Sequence, residues 1–432
     1  MSKVMYKTIH LTSPLLLLIF TVLLFIITPE ITAKEIKTAK PEKVGISSKR
    51  LARLDKSMQE MIDNKETGGI VILIARKGKV VHHKAFGLAD IESGTKLTTD
   101  YLFRLWSMTK PITSVALLTL YEQGKFQLTD PLGLYIPAFK DVKVFEGFDD
   151  NGSMILVEPK RQITIQDVFR HTAGFCYGDG ESAVDKAYQD AGIDLMKIES
   201  LTELVEKLAK QPLLYHPGEN WVYSLAHDVQ AYLVEYFSGM PFDKYCIENI
   251  FKPLGMNDTV TGIPLEYLSL FPTVYGPDEK GEGIVPIEKI DGKDIYARFT
   301  KRPFGGHSLS STAMDYYKFA RMLLNKGELN GARILGKKTV ELMTSNHLPK
   351  EIPKNMVGQG MGYGLGVSYL LDVPGSGNLG STGLFGWGGA ATTMVHIDPR
   401  EDMVYLFFTQ YMPADFGVWS KFQTLVFQAV VE

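Results

Sequence analysis

The sequence predicts an α/β protein of the α+β type: one antiparallel sheet built from both chain ends, flanked by helices, with an adjoining mainly helical subdomain. Three observations carry that prediction. Strand-like runs gather near the two ends of the 432 residues, first in "GGIVILIARKGKVVHHKAFG" and again beyond Gly305. From about residue 126 to 304 the chain turns instead into helical stretches separated by Pro and Gly loops. Between these regions, the apolar run after Ser107 is long enough for four helical turns and ends at Gly124.

In chain order, Lys3 and Lys7 precede the apolar "LTSPLLLLIFTVLLFIIT", and "ITA" ending at Ala33 offers a cleavage site. Residues 1–33 therefore read as a secretory signal, which predicts an exported protein, periplasmic or secreted. The run approaches spanning length, so the competing reading is an uncleaved anchor, the only route by which this chain would touch a membrane. "SSKRLARLDKSMQEMIDN" has the spacing of an amphipathic helix, and two strands follow around the turn at Lys77, Gly78 and Lys79. The middle region holds the helical "TIQDVFRHTAG", "SLTELVEKLAKQ" and "SLAHDVQAYLVEYFSG", with polar loops such as "GPDEKGEG". Beyond it come a helix in "SSTAMDYYKFARMLLNKG", strand-like "GYGLGVSYLL", "AATTMVHIDP" and "DMVYLFFTQ", and a last helix in "SKFQTLVFQAVVE".

Composition excludes several classes of function. The formal net charge is only −3 and no basic block occurs, which argues against nucleic acid as a partner. The nine histidines form no HExxH and the two cysteines lack zinc-ligand spacing, so no metal site and no cofactor is predicted. Without a complete G-x-S-x-G there is no nucleophile elbow of the α/β-hydrolase kind. Cys176 and Cys246 are candidates for one disulfide or, equally, two separate buried thiols.

The chemistry-bearing pattern is "LWSMTKPIT", with Ser107 three residues before Lys110. S-x-x-K arises by chance about once or twice in a chain of this length. A second copy, Ser93 and Lys96 in "IESGTKLT", reads as a solvated surface turn. Ser107 differs because it stands at a helix N-terminus, with Lys110 on the same face one turn later. A serine hydroxyl becomes a nucleophile when a base takes its proton, and an amine stripped of hydration by apolar neighbours can be that base. The helix terminus adds partial positive charge where an oxyanion would form. The alternative for the stretch alone is a capping serine followed by an exposed lysine.

Taken with "ITIQDVFRHTAGF", "PGENWVYSLAHDV", "FGGHSLSSTAMDYYKFARMLL" and "GWGGAATTMVHIDPREDM", the stretch resembles the serine β-lactamase and penicillin-binding protein superfamily. It resembles the class C β-lactamase branch in particular, and the family VIII carboxylesterases most. The resemblance runs from about residue 42 to the C-terminus and implies that residues 34–432 form a single catalytic domain with a serine β-lactamase-like fold. Its α/β part would comprise about 42–125 and 305–432, and its helical part about 126–304. The resemblance makes Ser107 the acylated nucleophile, with Lys110 and Tyr223 sharing the proton work. It also implies an oxyanion hole from the N–H groups of Ser107 and Ala390.

Where the β-lactamases carry K-T-G, this chain has Trp387, Gly388 and Gly389. The glycines are expected to let substrate lie against the strand backbone. Trp387 removes the cation that holds a substrate carboxylate, and Leu225 replaces an asparagine that hydrogen-bonds substrate amides. His307, at a position where many relatives have glycine, is a candidate for substrate contact or for closing a loop. His171 reads as a hydrogen-bonded structural residue. The expectation is an exported serine hydrolase cleaving small uncharged carboxylic esters through an acyl-enzyme on Ser107, without a cofactor. The alternatives are a β-lactamase or D,D-peptidase-like hydrolase, and a non-catalytic binding or assembly protein.

Overall fold

The computed structural model describes residues 36–195, 197–288, 295–353 and 356–432, so the segment read as a signal lies outside the described residues. The first ladder of the sheet is β1 (Gly69–Arg76), β2 (Lys79–Asp90) and β3 (Thr95–Lys96). The second is β4 (Met361–Tyr363), β5 (Ser368–Leu370), β6 (Phe385–Gly389), β7 (Thr393–Asp398) and β8 (Met403–Phe408). They join as one eight-stranded sheet in the order β4-β5-β6-β7-β8-β1-β2-β3, each neighbouring pair antiparallel. The two ends of the chain meet where β1 pairs with β8, from Val71 opposite Phe408 to Arg76 opposite Met403.

β1 is buried at every position because each of its faces is covered by helices. Alternate residues divide between two apolar layers. Val71, Leu73, Leu406 and Phe408 enter a core with α2 (Thr109–Glu122), α3 (Ala226–Ser238) and α4 (Ala313–Leu324). Ile70, Ile72, Tyr405 and Phe407 face the other way, toward α1 (Ser48–Asp63) and α5 (Phe416–Phe427). Fully burying one such branched or aromatic side chain contributes about 1.5–3 kcal/mol. Helix α2 is buried almost all round, which explains its unbroken apolar run. Pro111 sits in its first turn, where no intrahelical N–H is lost.

The structure revises several elements. The run 362–371 is not one strand: Gly364 to Val367 turn the chain, and β4 pairs with β5 as a hairpin. The region 126–304 also contains β-hairpins, Val144–Phe148 with Met154–Val157 and Val274–Pro277 with Ile284–Glu288, the latter around the "GPDEKGEG" loop. Helix α5 starts at Phe416, earlier than its apolar run suggests, because the Asp415 side chain accepts from the N–H groups of Gly417 and Val418. Among the described residues no helix is long and apolar enough to cross a membrane.

Candidate active site

Ser107 lies in a single 3-10 turn, Trp106–Met108, immediately before α2. Trp106 holds φ +47°, a left-handed conformation that costs a bulky residue about 1–2 kcal/mol. Its surroundings hold it there. The indole packs edge-on to Tyr296 at 5.0 Å and near Phe299 and His307, while its backbone N–H donates to the Tyr296 hydroxyl at 3.2 Å. This bent turn presents the serine beside the helix terminus. Nothing in the sequence marked it, because the left-handed residue is tryptophan rather than glycine.

Lys110 has no exposed surface. Its Nζ donates to Ser107 Oγ at 3.0 Å and to the Gly306 carbonyl at 2.8 Å. Two phenol rings flank the ammonium, Tyr223 with its centroid 4.6 Å away and Tyr177 at 5.7 Å, in cation–π geometry. Tyr223 enters from the extended segment before α3, and its hydroxyl accepts from the Trp387 indole N–H at 3.4 Å. The nucleophile and the two groups expected to share its proton work are therefore adjacent, and the amine points into the protein. The Ser93 copy differs in each respect: its hydroxyl bonds to Thr95 Oγ1 at 2.7 Å on an exposed turn, and Lys96 is exposed.

A shell of buried polar groups stands behind the lysine. Burial, and then the Lys110 charge, hold His171 well below the usual imidazole range and His307 down at about 3, while burial, then His171 and then Lys110 hold His227 well below that range. All three imidazoles are thus neutral at pH 7. Asp228, fully buried, is pushed up to about 6 by desolvation, opposed by the Lys110 charge and the Gly306 N–H. Its Oδ1 accepts from that N–H at 2.9 Å, so a carboxylate, a peptide unit and the lysine form one chain of contacts. Sequence reasoning missed Asp228. Its signal was present, an acidic residue within the apolar face that "AHDVQAYLVEYF" turns to α2.

A cavity of about 550 Å³ opens over Ser107. Tyr223, Trp387, Gly388, Gly389 and Ala390 line it with the serine, as do Trp221 and Trp419. None of the described lining residues is Asp, Glu, Lys or Arg. Leu225 and His307 stand elsewhere. Leu225 is fully buried at the start of α3, and His307 packs among Trp106, Phe299 and Phe304. The structure thus brings neither to the cavity. His171 is buried too, with Nδ1 3.1 Å from Ser224 Oγ.

Gly388 and Gly389 of β6 line the cavity, as the expected role needs, and they have packing reasons besides. A Cβ on Gly389 would lie 2.2 Å from the Leu105 carbonyl oxygen, so glycine lets the strand press against the turn that carries Ser107. A Cβ on Gly388 would lie 2.2 Å from the Trp419 ring. Cys176 and Cys246 are both buried free thiols.

A family model described as Beta-lactamase matches residues 54–425. Esterase EstB of Burkholderia gladioli is 36% identical over 211 residues, 48% of this chain and 50% of its own length. A Salmonella typhimurium protein proposed to be a D-alanyl-D-alanine carboxypeptidase is 27% identical over 387 residues, covering 85% of this chain and 84% of its own. Among solved structures, EstCE1, a hydrolase with promiscuous acyltransferase activity, superposes with a TM-score of 0.74 at 25% identity, covering 88% of this chain and 99% of that one.

Proposed function

Because this chain belongs to the β-lactamase family, within the serine β-lactamase and penicillin-binding protein superfamily and close to its family VIII esterases, we propose that it hydrolyses small uncharged carboxylic esters through an acyl-enzyme on Ser107. The observation that carries this reading is the buried Lys110 amine 3.0 Å from Ser107 Oγ, at a cavity lined without formal charge. Ser107 Oγ attacks the ester carbonyl carbon while its proton passes to Lys110 and Tyr223. The N–H groups of Ser107 and Ala390 stabilise the oxyanion. Collapse breaks the bond to the alcohol oxygen, which departs with that proton. Water then adds to the acyl-enzyme by the reverse route and releases the acid and free Ser107.

Lining chemistry favours this over the related lactamase and peptidase reactions. A substrate carboxylate would meet the Trp387 indole where those enzymes offer a cation, and would lose its water without an ion-pair partner. The carboxypeptidase-like relative keeps that reading as the rival. Purified protein decides between them: p-nitrophenyl acetate should turn over faster than nitrocefin, and the opposite ranking would refute the ester assignment. Ser107→Ala should lower ester hydrolysis about a thousandfold or more with the fold intact, whereas Ser93→Ala should match the parent. A fluorophosphonate adduct on Ser107, located by mass spectrometry, excludes a purely binding role. The apolar run near the N-terminus supports export, which cell fractionation checks by following the activity into the periplasm or medium.

A further inference from the structure

The cavity over Ser107 continues beyond the catalytic residues. Strand β6 pairs with the short β5 only at Phe385 and Gly386, so among the described residues Trp387 to Gly389 have no strand partner on that side. Trp387 stands opposite Val395 on the face that packs toward α2, whereas Gly388 stands opposite Met394 on the face covered by α5. Ser107 and Tyr223 line the cavity on the first face, and Met394, Leu370 and Leu384 line it on the second. It therefore turns around the free edge of β6 and runs on beneath the C-terminal helix, with Trp419 at the bend against Gly388.

This outer arm is apolar in effect. Its imidazole, His396, is pushed down to about 4 by burial and bonds to the Tyr405 hydroxyl at 3.0 Å. The Gln423 amide donates to the Leu379 carbonyl. The His396 and Gln423 side chains are thus engaged with the protein, the Trp419 indole N–H is the buried polar group of the arm without a partner among the described residues, and most of the surface left for a ligand is hydrocarbon. A cavity of this volume accommodates a group far larger than acetyl.

We propose that the outer arm receives the acyl group of the substrate, and that the substrates are esters of apolar acids with an extended chain. The inference rests on the hydrolase reading above. Its choice of the acyl half follows from the order of the two steps. The alcohol leaves after the first and water must enter in its place, so its side has to open to solvent. The acyl group stays bonded to Ser107 through both, so it is the half for which a deep apolar arm is useful. Each methylene that leaves water for such a surface is worth roughly fourfold in kcat/KM.

The test compares p-nitrophenyl octanoate with p-nitrophenyl acetate in the parent and in Met394→Phe, which narrows the arm. The octanoate-to-acetate ratio of kcat/KM is expected to exceed ten in the parent and to fall at least tenfold in the variant. A ratio near one in the parent, or one that Met394→Phe leaves unchanged, overturns the proposal. Calorimetry on Ser107→Ala gives a second readout that needs neither turnover nor the Met394 variant. Decan-2-one should bind at least tenfold more tightly than butan-2-one, and equal affinities would overturn the proposal as well. Loss of the hydrolase reading would register separately, as acetate hydrolysis that survives Ser107→Ala.

Discussion

Lys110 is held by a relay that ends on Asp228, and that relay works against the stability of the fold. Burial raises the Asp228 carboxyl from the usual 3.8 to about 6, so the folded protein binds this proton more tightly than the unfolded chain does. Its contribution to stability is therefore full below pH 4 and is lost as pH rises through 6. At pH 7 the ionised form costs roughly 2–3 kcal/mol. Asp228→Asn keeps an acceptor for the Gly306 N–H without the charge. The variant should melt above the parent at pH 7.5 with the gain shrinking toward pH 4. Parent and variant melting alike at both pH values would refute the argument. Trp106 follows the same pattern, since a left-handed tryptophan is kept where it aims the serine.

At the scale of elements, the segment carrying His171 is fixed by the short helix Ile165–Phe169 and its cap. Thr164 and Asp167 form a capping box, and the Asp167 carboxylate also accepts from Arg161, Arg170 and Thr172. Burial alone would raise Asp167, but the ion pair with Arg161 and the bonds from Thr164 outweigh it and hold the carboxyl down at about 2. A depressed pKa contributes stability above pH 3.8 that is lost as pH falls through 2, here about 2 kcal/mol. Asp167→Ala leaves Arg170 as an uncompensated, largely buried charge and should cost about 3–5 kcal/mol in urea unfolding at pH 7, with the difference shrinking toward pH 2. A loss under 1 kcal/mol would show that the carboxylate does not hold this segment. The capping box was readable in "TIQD", yet the helix stops after five residues, where His171 adopts φ +59°.

For the whole molecule, the core is continuous enough to do without covalent cross-links. Burial pushes the Cys176 thiol up to about 12, with Asp185 adding to the effect, and raises Cys246 as well. Neither is poised to react. The melting temperature should be the same with and without reductant, and a thiol reagent should label both cysteines in denaturant but neither in the folded protein. A reductant-dependent drop would mean that the two are paired. The middle of the sheet is a pair of strands drawn from opposite ends of the chain. β1 and β8 are far apart in sequence but adjacent in space, and their register carries the alternation that feeds both helix layers.

Read alone, the chain yields the local features: α1 and α2 from their periodicity, the first hairpin from its turn at Gly78, and the Ser107–Lys110 pair from spacing at a helix start. Each depends on residues within a few turns of one another, where backbone geometry and side-chain period settle the outcome. Tyr223 was legible only through family resemblance, since nothing local ties it to Lys110. Tertiary packing alone decided that Leu225 and His307 turn away from the cavity, that Gly389 admits the Leu105 carbonyl, and that α5 roofs an arm beyond the serine. Those facts belong to surfaces that meet only after segments distant in sequence have docked. A pattern within one segment fixes which face is apolar, but not what will lie against it.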